Sequence, residues 1–219
     1  ISQRSLNHIL RLVAQYLKPY KVKKFRDFIR TKNWLFLRGD WPSGANLARQ
    51  LGDFPFTIMI SVIISTYNRP KLLKRAIKSV LNQSFKDFEI IVVDDHSDKK
   101  ANFNNPKIKY FYLDENHGSD SYPKNFGISK AKGNYIAFLD DDDTFRRDAL
   151  KILYNYITLS EADIVYGDYI NHNKEKSAGW SVDFNLQILA KMNYIAMSTV
   201  LVKKDALLEV GGFDENVPR

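Results

Sequence analysis

Gly133-Asn134-Tyr135-Ile136-Ala137-Phe138-Leu139-Asp140-Asp141-Asp142-Asp143 reads as a turn, an apolar strand and then four carboxylates in a row. Adjacent carboxylates repel one another, and a fold tolerates them only beside a cation or in open solvent. On an extended strand, residues two apart share a face at a separation of roughly 6–7 Å. Asp140 and Asp142 are therefore expected to project together and Asp141 away from them. A carboxylate pair at the C-terminal end of a strand suits a hard cation, Mg²⁺ or Mn²⁺, whose other positions are filled by water and substrate phosphate. The same run also fits a solvated acidic turn. In that reading Asp143 or Thr144 caps a helix over 145–157, and Arg146 and Arg147 screen the charge.

The surrounding pattern separates these readings. Upstream, 58–65 is an apolar, β-branched run followed by helical spacing over 71–81, and 88–93 is a second buried-type strand ending in Asp94-Asp95. A strand over 108–113 and a helix over 122–131 lead to the strand at 135–139. The helix over 145–157 then precedes a strand at 163–166. Strands buried on both faces and alternating with helices predict a mostly parallel α/β sheet with right-handed crossovers. Ligands of such sheets bind outside the carboxyl ends of the strands. Polar residues gather at three of those ends: Thr66-Tyr67-Asn68-Arg69, Asp94-Asp95-His96-Ser97 and Asp140 to Asp143. Their coincidence favours a site over a bare acidic turn.

Composition limits the alternatives. The 219 residues contain no cysteine, which excludes disulfides and thiolate chemistry, and the four scattered histidines lack the spacing of a helical zinc site. No apolar run approaches the roughly 20 residues of a membrane span. Residues 1–40 carry ten bases against Asp27 and Asp40, which accounts for the whole net charge of +8 and leaves 23 bases and 23 acids in 41–219. The chain thus divides into a basic helical segment and connector over 1–56 and an α/β domain over 57–219. Helices are expected over 5–17 and 21–31, with a connector over 34–55. The basic segment suits a partner protein or an anionic membrane surface. With no recognition motif and a neutral main domain, nucleic acid is not expected.

Neither G-x-G-x-x-G nor G-x-x-x-x-G-K-[ST] occurs, so a bound nucleotide would need a metal to hold its diphosphate. The metal would act as a Lewis acid on the leaving group. Asp95 can accept a hydrogen bond from a base N–H, and Asp94 or Asp141 can take ribose hydroxyls. Tyr67 can border a base. Asp94 and Asp95 also fit an ordinary turn after a strand.

An ordered set of segments carries a family resemblance: Ser61 to Arg69, Gln83 to Ser97, Asn116-His117-Gly118, Lys124 to Ile128, Lys132 to Asp143 and Val210 to Glu215. Together they resemble the family 2 glycosyltransferases of the GT-A fold over about residues 59–215. The resemblance implies inverting transfer of a sugar from a nucleotide-sugar, with a lean towards UDP, to a hydroxyl of a glycan, polysaccharide or lipid-linked acceptor. It implies that Ser65, Thr66, Tyr67 and Arg69 border the nucleotide and that Asp95 binds the base. Asp140 and Asp142 would be the outer, metal-binding members of the D-x-D motif, with Asp141 near the ribose or metal. Lys124 stands where many members carry arginine and would assist the diphosphate or the local fold.

One departure concerns the general base, which an inverting transferase needs near the acceptor hydroxyl. In the family it lies downstream of the G-G-F-D-E turn, beyond Arg219 here. Asp214 and Glu215 are the late carboxylates, and both also fit turn residues. The chain is therefore expected to be cut on its C-terminal side and to bind donor and metal while transferring sugar poorly alone. The alternative is a donor-binding or structural module of a larger glycan-assembly protein. A nucleotidyltransferase ranks last, because Thr66 to Lys71 lacks a glycine-rich phosphate loop. The expected location is cytoplasmic, peripheral at the inner face of a membrane.

Overall fold

The computed structural model describes residues 59–160, 162–170, 184–189 and 191–216, and the backbone of 34–36. The helices expected over 5–17 and 21–31 lie outside the described residues. Seven strands form one mixed sheet: β1 (Trp34–Phe36), β2 (Ile60–Thr66), β3 (Phe88–Asp94), β4 (Ile108–Tyr112), β5 (Tyr135–Phe138), β6 (Ile164–Tyr166) and β7 (Val200–Lys203), in the order β1-β6-β7-β5-β2-β3-β4. Strands β5, β2, β3 and β4 are parallel neighbours, and β1 pairs parallel with β6. Strand β7 runs antiparallel between β5 and β6.

Alternation along the central strands builds two cores. Ile60, Val62, Ile64, Ile90 and Val92 face one layer with α1 (Pro70–Leu81) and α3 (Ala149–Leu159). Ile63, Ile91 and Val93 face the other, with α2 (Ser121–Lys130), α5 (Lys204–Glu209) and Phe213. A four-residue helix, α4 (Leu186–Leu189), joins this second layer through Leu189. Because both faces are covered, β2 and β3 read as largely apolar runs, with Ser61 and Glu89 as paired polar interruptions near their starts.

Three expectations need correction. Trp34 to Phe36, read as connector, forms the edge strand that pairs with β6. Strand β7 was not expected; its four apolar and basic residues are too short a run to carry a period. The helix after the aspartates begins at Ala149 rather than at 145, and neither Asp143 nor Thr144 caps it. Instead Phe145 N donates to Ser79 Oγ at 3.0 Å. Buried Gln83 accepts from Leu150 N at 3.0 Å and donates to Arg146 O at 2.7 Å. A side chain from the α1 side thus supplies the start of α3 with the acceptor its own cap residue does not.

At the opposite end of the sheet, Gly133 lies in the bend just ahead of β5. A Cβ there would lie 2.5 Å from Met59 O and 2.7 Å from Ser61 N, so only glycine fits. Buried Glu89 locks the same corner, accepting from Ser61 Oγ at 2.7 Å, Lys132 N at 2.6 Å and the Lys109 ammonium. Among the described residues, no helix is long and apolar enough to cross a membrane.

Candidate functional site

Because β5, β2 and β3 are adjacent and parallel, the loops after Phe138, Thr66 and Asp94 open on one edge of the sheet. Two of these loops start with non-glycine residues in the left-handed region, Asn68 (φ 54°) and His96 (φ 69°), a conformation that concentrates at functional sites. They are laced together: Asn68 N donates to Ser97 Oγ at 2.7 Å, and Asp98 N donates to Asn68 Oδ1 at 2.9 Å.

The strand alternation expected for the aspartates does not hold. Strand β5 ends at Phe138, and the chain turns at once, with Asp143 N donating to Asp140 O at 3.0 Å. Asp141 and Asp142 converge on one cation, Arg69, at 3.2 and 3.3 Å. Asp141 is buried and also accepts from Thr66 Oγ1 at 2.7 Å. Asp142 is exposed, and its backbone carbonyl accepts from the Arg75 guanidinium. Asp140 turns towards Lys124, 3.4 Å away, while Asp143 accepts from Ser198 Oγ at 2.6 Å.

Lys124 is buried between Asp120 and Asp140. Burial disfavours its charge, but Asp140 and then Asp120 outweigh that and hold its pKa above the ordinary lysine value. For Asp140, burial is the largest influence, and the Lys124 charge only partly opposes it. Asp120 and Asp143 add to the rise, so the Asp140 pKa sits above the usual carboxylate range.

On the β3 side the two neighbouring aspartates separate. Asp94 is buried and accepts from Ser97 N at 2.8 Å and Tyr110 OH at 2.6 Å, as a turn residue after a strand does. Asp95 accepts from His117 N at 3.1 Å and lies 2.9 Å from His117 Nδ1. That imidazole stacks on Tyr122, with centroids 3.7 Å apart and planes 5° from parallel. Ser65 is half-buried at the end of β2, and Tyr67 is exposed.

The late carboxylates shape a turn. Asp214 is buried and accepts from Asn216 N at 3.0 Å, and Glu215 accepts from Asn125 Nδ2 at 2.6 Å. Gly212 (φ 72°) sits in the left-handed region, and a Cβ there would press on Asn125 Oδ1 at 2.5 Å, so any other residue would be strained and would displace that amide.

For a metal the donor set is open rather than closed. Among the described residues, no three His, Asp or Glu side chains cluster tightly enough to hold an ion by themselves. Mg²⁺ and Mn²⁺ in phosphate chemistry need only one or two carboxylates. The Asp142 and Asp140 side chains, 52% and 42% exposed, fit that requirement.

The profile of glycosyl transferase family 2 matches residues 61–205. The chain belongs to glycosyl transferase family 2. The matched stretch includes every strand-end residue above and stops short of Asp214. Among curated relatives, the poly(ribitol-phosphate) beta-N-acetylglucosaminyltransferase TarP of Staphylococcus aureus is 39% identical over 54% of this chain and 38% of its own length. The chain thus spans less than half of that relative. TarS (residues 1–349) of S. aureus superposes with a TM-score of 0.60 at 21% identity, covering 74% of this chain and 52% of that one. The mannosyltransferase PcManGT of Pyrobaculum calidifontis, solved with GDP-Man and Mn²⁺, superposes with a TM-score of 0.56 at 15% identity over 97% of this chain and 60% of its own. These likenesses agree with a GT-A-like α/β fold for this family 2 member.

Several residues of the site were not singled out by the sequence reading. The Asp120–Lys124 pair carries a legible signal, an acid four residues before a base on one helix. His117 stood inside a motif but was given no role. Ser198 sits in a segment without periodicity and carries no signal.

Proposed function

We propose that this chain binds a nucleotide-sugar, with UDP as the nucleotide, and with a divalent cation transfers the sugar with inversion to a hydroxyl of a glycan acceptor. The observation that carries this reading is the meeting of Asp95, Arg69, Lys124 and Asp140 to Asp142 at one sheet edge. Asp95 keeps acceptor capacity beyond His117 and would take a base N–H. The exposed Tyr67 and half-buried Ser65 would border the nucleoside. Thr66 acts indirectly, by orienting Asp141, which lies nearest to where a ribose would sit.

Asp142 and Asp140, both partly exposed at the strand end, would hold Mg²⁺ or Mn²⁺. When bound, the ion supplies Lewis-acid stabilisation of the leaving diphosphate. Arg69, exposed and bidentate-capable, is the chain's own cation for that diphosphate, while the buried Lys124 would fix Asp140 beside it. Asp214 and Glu215 serve the turn and are not assigned the general base.

The test is a thermal-shift panel of nucleoside diphosphates with and without Mn²⁺. UDP should stabilise the protein only with metal, and Asp142→Ala should abolish the shift. An equal response in wild type and variant refutes the metal assignment, and a preference for another nucleotide refutes the uridine assignment.

A further inference from the structure

Beside the aspartate turn, α1 and the loop ahead of α3 line an open cavity of about 670 Å³. Arg75, Lys78, Lys86 and Arg147 line it. A second, mostly apolar hollow of about 280 Å³ shares Lys78 and Leu81 with the first; Ile77, Phe103 and Ile108 form its floor, and Lys74, Asn102, Asn104 and Asn105 are its polar lining. The two form one track around the exposed side of α1. Lys74 and Lys78 are one turn apart on the helix surface, as are Arg75 and Lys78 on the other diagonal. No carboxylate lines either hollow. Among the described residues, none of these five cations is ion-paired: Arg75 donates to Asp142 O and Lys86 to Gln83 O, both neutral carbonyls. Residues 41–219 carry equal numbers of acids and bases, so this basic face is a local concentration of charge.

The chemistry of the track selects its occupant. Repeated cations in a concave path suit a chain with repeated anions. Asparagine amides both donate to and accept from hydroxyls. A phosphodiester offers two anionic oxygens to an Arg fork and to a Lys point charge alike. An anionic membrane is a poorer fit. None of the exposed large hydrophobic residues, Tyr67, Leu159, Tyr169, Ile170, Met192 or Leu208, lines either hollow, and interfacial helices bury such side chains. The track also begins at the aspartate turn, because Arg75 bonds the backbone of Asp142.

We infer that this track docks a phosphodiester-linked polyol or glycan chain, the acceptor of the transferase. The inference rests on the transfer reading above and narrows its acceptor class.

The full 219-residue chain is titrated against a fluorescein-labelled poly(glycerol phosphate) oligomer by fluorescence anisotropy. Three proteins are compared: wild type, Lys78→Ala/Lys86→Ala/Arg147→Ala, and Lys21→Ala/Lys23→Ala/Lys24→Ala, which removes the same charge from the basic N-terminal segment. The track variant should weaken binding about tenfold, the sum of three exposed charge contacts, and the N-terminal variant by less than about twofold. Both variants should keep the melting temperature and the UDP–Mn²⁺ thermal shift of wild type. Equal weakening by the two variants overturns the inference. So does preference for oligogalacturonate, or binding to phosphatidylglycerol vesicles without binding to the polymer. Failure of wild type to respond to UDP and Mn²⁺ would sink the transferase reading instead, leaving the anisotropy result to judge the track.

Discussion

Replacing Glu89 with glutamine removes a buried charge while keeping the shape of the side chain. The Glu89 carboxylate is 5% exposed and collects Ser61 Oγ, Lys132 N and the Lys109 ammonium. In Glu89→Gln one oxygen still serves Ser61 and Lys132, but the new amide NH₂ points a donor at Lys109. Breaking a buried ion pair costs about 3–5 kcal/mol. The Lys109 side chain is 34% exposed and keeps part of its hydration, so we expect about 2 kcal/mol.

The pH dependence carries a sign. Burial raises the Glu89 pKa; the hydrogen bonds from Lys109, Ser61 and Lys132, with the Lys109 charge, outweigh it and leave the value below the usual range. A lowered carboxylate contributes stability that is present above the unfolded pKa, about 4.3, and lost as pH falls through the folded value. Urea denaturation at 25 °C should therefore show wild type ahead of Glu89→Gln by a constant margin near neutrality. That margin should close below about pH 4. Equal stability at pH 7, or a margin that widens in acid, would refute the reasoning.

Two further substitutions test the supports of the site. In Gly127→Ala the new Cβ would meet Ile63 Cγ2 at 2.6 Å, on a fully buried side chain of β2 that has little room to yield; we expect a loss of about 1–3 kcal/mol in urea denaturation, and a neutral result contradicts the close packing of α2 on the sheet. Asn125→Ala strips the amide that donates to Phe213 O at 2.9 Å and accepts from Phe213 N at 2.8 Å; hydrogen exchange over 210–215 should accelerate by about tenfold while β2 and β3 keep their protection, and unchanged exchange would show that the turn holds itself.

The sheet was legible because its central strands are buried on both sides. Ile60 to Thr66 and Phe88 to Asp94 are mostly apolar, β-branched runs whose meaning does not depend on partners far away, and their bounds fall within two residues of expectation. Strand β7 and the edge strand at Trp34 are defined by their neighbours in the sheet, which periodicity does not reveal. The aspartates show the same divide. Their location at a strand end follows from sequence, whereas their directions do not, because the chain turns over 140–143 just after Leu139 N makes the last bond to Ile63 O. After that point, side-chain direction is set by Arg69 and Lys124, 71 and 16 residues from Asp140 along the chain. Asp94 and Asp95 are adjacent, chemically identical and both buried, yet one is held by Ser97 and Tyr110 and the other by His117, partners that adjacency does not reveal.

Charge in the donor edge argues for how it would load. Arg69 contacts Asp141 and Asp142, and Lys124 contacts Asp120 and Asp140, so two cations serve four carboxylates. The raised Asp140 pKa is the local sign of that shortfall, since burial and its acidic neighbours exceed what Lys124 offsets. In the function proposed here, one divalent ion would balance the excess of two negative charges and free Arg69 to turn from Asp142 towards a diphosphate. Lys124 is too enclosed to make that swing; it would hold Asp140 in place throughout. The mobile cation and the fixed one then have separate tasks. Arg69→Lys, which keeps charge but loses the fork, should weaken UDP binding more than it weakens the fold. Lys124→Met should do the reverse, because it leaves Asp120 and Asp140 facing each other without a cation between them.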